Sequence, residues 1–251
     1  MQYKVVKILI INCNVLIFSS KNFRPNFKNL FFLKFGVQLG RRLFAYRPIF
    51  DDFCRMILEK ELQFILEMDQ LKNVIRRNFN LDDSRRENTA EHSWQVVLLS
   101  QILLPYANRR EEIDLLRVIK MLTIHDVVEI KAGDTFLFDK KATVGKYERE
   151  EQAAIELFGL LEAPLSEEYL SLWREFEAVE SPDAIFATAI DRIMPFILNT
   201  FSKGTSWTEA QVKKSQVEEL VGEAVKKGSS ELYELFQELL EKAEKEGKLQ
   251  V

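Results

Sequence analysis

LTIHDVVEIKAGDTF, residues 122–136, decides how this chain is read. It places His125, one of only two histidines in 251 residues, beside Asp126 inside an apolar run, with Glu129 and Asp134 following. The apolar positions of residues 113–130 recur at helical spacing and the pattern stops at Gly133, so a helix is expected here. The His-Asp pair therefore sits where a helix should bury aliphatic side chains. An unpaired charge in such a place is costly, so the pair must be matched by other charges, hydrogen-bonded or bound to a metal.

The same conflict occurs twice more. His92 lies early in TAEHSWQVVLLSQILLPYA (89–107), a second helical run with Thr89 as its expected N-cap. Asp191 interrupts AIFATAIDRIMPFIL (184–198), an otherwise greasy helix. A lone buried histidine is more often a hydrogen-bonded core residue than a ligand, and Asp191 by itself would most simply pair with Arg192. Together the four residues use up every histidine of the chain and offer two imidazoles and two carboxylates. Such a nitrogen/oxygen set suits one divalent cation per chain, whose identity the residue types do not select. His125 and Glu129 are four apart and share a helix face, so Glu129 can approach the metal site without being a ligand.

The remainder reads as helix almost throughout. In MILEKELQFILEMDQLKNVI (56–75), Ile57, Leu58, Leu62, Ile65, Leu66 and Leu71 form one amphipathic stripe. RRNFNLDDSRREN (76–88) and residues 133–145 read as polar surface loops. Further helices are expected at about 146–161, 167–178, 182–202, 208–227 and 230–246. Ser181-Pro182 gives a cap with a first-turn proline, and Thr208 with Gln211 suits a capping box. Trp94, Trp173 and Trp207 are expected in the core or an interface. No alternating strand pattern, repeat or glycine-rich phosphate loop is present, and the fold class is all-α.

Charge divides the chain. Residues 1–55 hold ten Lys/Arg and two Asp, a balance of +8, together with both cysteines and nine of the 19 phenylalanines. Residues 56–251 hold 25 basic and 37 acidic residues, a balance of −12. The first stretch is expected to be an atypical basic, Phe-rich extension, disordered or the product of an upstream start. Its apolar run VVKILIINCNVLIF is too short to span a bilayer and is broken by Asn12 and Asn14. The domain is expected over 56–251; lacking cysteine, it has neither disulfides nor thiolate ligands, and a cytoplasmic setting is expected. An acidic body without a basic, aromatic-studded face argues against nucleic acid as partner.

The order His92, His125-Asp126, Asp191 resembles the signature of the HD-domain metal-dependent phosphohydrolases. The surrounding RRENTAEHSW, IHDVVEIKAGDTF and AIDRI resemble the branch holding the bacterial 5′-deoxynucleotidases of the YfbR type and their archaeal and eukaryotic relatives; the likeness covers roughly residues 60–200. The resemblance implies an HD-domain helical bundle with a buried divalent-metal site and His92, His125, Asp126 and Asp191 as metal ligands. It further implies removal of the 5′-phosphate from (deoxy)nucleoside monophosphates by metal-activated water, a small-molecule nucleotide substrate and a homodimer; a phosphodiesterase acting on another nucleotide, or a non-catalytic nucleotide- or partner-binding helical module, is the alternative. Glu129 would be the acid/base or water-orienting residue, and Asp134 would contact the sugar or help hold the nucleophile. Arg77 would grip the phosphate, with Arg76 in its place if the loop register slips by one. Asn78 departs from the pattern, standing where those enzymes carry a tryptophan that crowds the ribose 2′ position.

Overall fold

The computed structural model describes residues 58–250; the N-terminal extension expected at 1–55 lies outside them. The chain enters through helix α1, residues 58–68, followed by a 3₁₀ turn, Asp69–Asn73. Phe64, Met68 and Leu71 of this segment pack on the core. The stripe expected to face inward, Leu58, Leu62, Ile65 and Leu66, is exposed instead.

An antiparallel hairpin follows where the sequence reads as a polar loop: β1, Ile75–Phe79, pairs with β2, Arg86–Asn88. Its turn uses Asp83 in the left-handed region and is clamped by a bond from Asn80 N to Arg85 O. The strand period of two sends Arg76 and Asn78 towards the interior and leaves Ile75 and Arg77 exposed. The alternation is real but its inward members are polar, which is why no apolar pattern betrays it.

Helix α2, Thr89–Leu103, begins at Asn88 rather than at Thr89. The Asn88 side chain accepts from Glu91 N while the Glu91 carboxylate accepts from Asn88 N, a reciprocal capping box. Helix α3, Leu115–Ile124, is capped by Asp114, and α4, Glu129–Ala132, follows after a four-residue turn. The single helix expected over this stretch is thus broken at the His-Asp pair. Helices α5, Lys146–Phe158, and α6, Leu165–Ala178, complete one side.

Helix α7, Pro182–Phe201, is the axis of the fold and packs on α2, α3 and α6. Ser181 caps it through Ala184 N and Pro182 fills the first turn, as expected. Among the described residues it is the one helix long and apolar enough to cross a membrane, and it is mostly buried within this fold. The C-terminal part is α8, Thr205–Ala210, α9, Lys214–Val217, a π-turn Glu218–Gly222, α10, Glu223–Gly228, and α11, Ser230–Lys245. The continuous helix expected at 208–227 is therefore interrupted, with Gln211 in the left-handed region ending α8. Helix α10 lies tightly on α7 because Gly228 has no side chain: a Cβ there would strike the Ala189 methyl. Trp173 and Trp207 are buried, whereas Trp94 stands 65% exposed in a row with Leu98 and Ile102.

Candidate metal centre

The hairpin and helices α2, α3 and α7 bring the four expected ligands to one point. One ligand atom from each of His92, His125, Asp126 and Asp191 lies within 4.8 Å of all the others. His92 Nε2 is 2.8 Å from Asp191 Oδ1, and His125 Nε2 is 3.2 Å from Asp126 Oδ2 and 3.5 Å from Asp191 Oδ1. Both imidazoles are buried, and Phe176 packs against His125 with ring centroids 4.9 Å apart.

The backbone explains how neighbours in sequence serve one site. After Ile124 the hydrogen bonds tighten to the i→i+3 pattern: Val127 N to Ile124 O, Glu129 N to Asp126 O and Ile130 N to Val127 O. Residues three apart eclipse in such a turn. Asp126 and Glu129 therefore share a side, and this, rather than the i,i+4 relation of His125 and Glu129, sets the glutamate beside the cluster.

The donors fit a divalent cation. His125 Nδ1 lies 2.9 Å from Leu122 O, where it can only donate, so in the neutral imidazole Nε2 carries the lone pair and points at the carboxylates. That Nε2 is buried and has no hydrogen-bond partner among the described residues. Burial opposes charge on His125, yet Asp126 and Asp191 outweigh it and push the imidazole up to about 10. Burial likewise opposes charge on Asp126 and Asp191, and the adjoining histidines with Arg76 or Arg192 hold both well below the ordinary carboxylate range.

Three further groups surround the cluster. Arg76 Nη1 donates to Asp126 Oδ2 at 2.8 Å and lies 4.0 Å from Asp134 Oδ1. Burial opposes its charge, but Asp126, Glu129, Asp134 and Asp191 together keep it protonated. Glu129 is buried, accepts from Thr89 Oγ1 at 2.8 Å, and is raised well above the usual carboxyl range by burial and then by Asp126. Asp134, just past the positive-φ Gly133, is raised by burial as well. Arg77, the arginine the resemblance implies, is exposed at the rim of the same cavity, while Arg76, its alternative, reaches the carboxylates, because adjacent residues of β1 point to opposite sides.

Sequence reasoning missed two positioning residues. Thr89 holds Glu129 through its hydroxyl rather than capping α2. Glu87, inward on β2 and 1% exposed, sets its carboxylate 3.7 Å from His92 Nδ1 and 3.6 Å from Arg76 Nε. Burial pushes Glu87 up to about 7 against the pull of Arg76. The only sequence signal for it was an acidic residue two positions after Arg85 in a run read as loop.

The cluster opens into a cavity of about 320 Å³. Thr135, Phe136, Leu137 and Phe138, from the segment expected as a loop, form part of its wall. On the hairpin side Asn78 is 8% exposed and accepts from Asn199 Nδ2 at 3.1 Å. Asn199 Nδ2 also donates to Pro195 O, and Ser206 Oγ donates to Asn199 Oδ1 at 2.5 Å, which fixes the Asn199 amide. Asn78 must then present its oxygen to Asn199, leaving its amide nitrogen without a partner among the described residues. Lys146 and Glu150, 2.9 Å apart, line the cavity from α5.

Comparison with known proteins agrees with this geometry. A crystal structure of a predicted metal-dependent phosphohydrolase from Magnetospirillum magnetotacticum MS-1 superposes with a TM-score of 0.72 at 39% identity, covering 78% of this chain and 99% of that one. The chain is 26% identical over 137 residues to the 5′-deoxynucleotidase HDDC2 of Danio rerio, covering 54% of this chain and 66% of that protein. It is also 26% identical to the Homo sapiens protein of that name, covering 52% of this chain and 62% of that protein. The matches thus span just under two thirds of the length of these curated relatives. The model of the HD domain family matches residues 68–233, and the chain belongs to that family of metal-dependent phosphohydrolases.

Proposed function

We propose that this protein removes the 5′-phosphate from nucleoside monophosphates. The observation that carries the reading is the meeting of two imidazoles and two carboxylates at one point, with His125, Asp126, Asp191, Arg76 and Glu129 lining one cavity of nucleotide size. The HDDC2 relatives support the substrate class. A divalent cation held by His92, His125, Asp126 and Asp191 supplies an acidified water at neutral pH and polarisation of a phosphoryl oxygen.

The chain's own residues do the rest. The Arg76 fork faces the same carboxylate oxygens and offers its remaining N–H groups to the equatorial phosphoryl oxygens, where charge spreads during transfer. Arg77 at the rim contributes a second, more screened cation. Burial beside Asp126 favours the protonated form of Glu129, so it is placed to hand its proton to the leaving 5′ oxygen, leaving a carboxylate that can then accept one from water, typically worth about 10²- to 10⁴-fold. Thr89 holds that carboxyl in place. Asp134, which lines the cavity 4.0 Å from Arg76, orients the substrate. Asn78, which lines the cavity in place of the bulky tryptophan, leaves room and an amide donor for a ribose hydroxyl, so ribonucleotides are taken alongside deoxyribonucleotides.

A cytoplasmic homodimer is part of this proposal; the exposed apolar row Trp94, Leu98 and Ile102 supports a second copy, and sedimentation measures it. The test of function is phosphate release from paired ribo- and deoxyribonucleoside monophosphates, with cyclic nucleotides in the panel, under Mn²⁺, Co²⁺ and Mg²⁺. Release from the monoesters is expected. Inactivity with all three ions, or cleavage of the cyclic diesters alone, overturns the reading.

A further inference from the structure

A second opening of about 560 Å³ adjoins the catalytic cavity and shares Arg77, Phe136 and Phe138 with it. Its charge is opposite to that of the body. Arg77, Arg86, Lys140 and Lys141 line it against two carboxylates, Asp139 and Glu209. Both carboxylates are engaged: Asp139 Oδ1 accepts from Lys141 N at 3.0 Å and Ala142 N at 3.1 Å, and Glu209 pairs with Arg86 at 2.6 Å. Among the described residues no carboxylate lies in ion-pair contact with Arg77, Lys140 or Lys141. Gathering unpaired cations on one opening of an acidic domain raises the local potential and favours an anionic ligand.

Strand geometry divides the labour. Adjacent residues of β1 point to opposite faces, so Arg76 serves the carboxylate cluster while Arg77 borders both cavities. Phe136 and Phe138, edge to face with centroids 5.3 Å apart, form an apolar ridge between them over which a sugar or base can lie. We infer that the basic opening holds a second phosphate carried by the substrate molecule whose first phosphate is hydrolysed, so that nucleotides bearing two separate phosphoryl groups are preferred. The second phosphate is bound and not cleaved there. This inference rests on the phosphohydrolase reading.

The experiment compares adenosine 5′-monophosphate with adenosine 3′,5′-bisphosphate on the wild-type protein and on Lys140→Ala/Lys141→Ala. Phosphate release gives kcat and KM, and calorimetry on Glu129→Gln, with and without the lysine changes, gives binding. Exposed ion pairs are individually weak, so the wild-type KM for the bisphosphate is expected about three- to tenfold lower at similar kcat. The double variant should erase that advantage without altering the monophosphate constants, and added salt should shrink it. Equal KM values in the wild type, an advantage that survives the double variant, or an equal rise in monophosphate KM overturns the subsite. If neither compound releases phosphate, the proposed function falls, and the calorimetric difference between the two ligands alone decides whether the opening binds a second phosphate.

Discussion

Replacing Arg76 and Arg77 separately distinguishes the residue that reaches the carboxylate cluster from the one that the family resemblance implies. Arg76 Nη1 lies 2.8 Å from Asp126 Oδ2 and the side chain is 13% exposed, whereas Arg77 is exposed at the rim. Loss of one preorganised donor to developing charge costs about 10²- to 10³-fold in kcat, about 2.7–4 kcal/mol. Arg76→Ala carries a second cost, because it removes one partner of the buried Asp126 while His125 stays beside it, and so destabilises the fold by about 1–3 kcal/mol. Arg76→Lys separates the two: it keeps the charge but loses the planar fork, so it should melt close to wild type and still lose about tenfold or more in kcat. Arg77→Ala should lose less than about tenfold, in KM rather than kcat, as a screened surface cation does. Phosphate-release kinetics with thermal melts and metal content on all three variants read this out. A hundredfold loss in Arg77→Ala beside near-normal Arg76→Ala would refute the assignment.

Other substitutions have equally definite outcomes. Glu129→Gln should retain its metal, since glutamine still accepts from Thr89, and lose about 10²- to 10⁴-fold in turnover; normal turnover would remove the acid/base role. Asn78→Leu should lower kcat/KM for ribonucleotides relative to deoxyribonucleotides by about three- to tenfold, the worth of one hydrogen bond, and an unchanged ratio would contradict the donor role. Glu150 is pushed by burial up to about 7, above its value in the unfolded chain. Its proton therefore favours the fold fully below about pH 4.5, and that contribution is lost as pH rises through about 7, at roughly 1.4 kcal/mol per unit. Urea melts of Glu150→Gln should show a flatter pH dependence across this window than the wild type, and an identical slope would exclude the effect.

The His/Asp cluster was legible because burying a charge is costly: His92, His125-Asp126 and Asp191 break three apolar patterns, and their side chains meet at one point. The all-helical body was legible from its period. The hairpin was not, because its inward residues are polar, Arg76 and Asn78 lining the cavity and Glu87 buried against Arg76 and His92, and the apolar alternation that marks a strand is absent. The same omission hid Glu87 and shifted the arginine by one. Thr89 looked like a cap because hydroxyl residues often are; only the fold shows its hydroxyl spent on Glu129, forty positions away. The break after His125 lay hidden inside an apolar run that reads as one helix.

Metal binding by the four residues tests the account most directly. Metal analysis and calorimetric titration with Mn²⁺, Co²⁺ and Mg²⁺ on the wild type and on Asp191→Ala, followed by phosphate release, should give close to one divalent ion per wild-type chain. The variant should lose both the ion and the activity. A wild type that takes up no ion and releases no phosphate, or an Asp191→Ala protein that binds and turns over as the wild type does, would contradict the claim that these side chains share one cation.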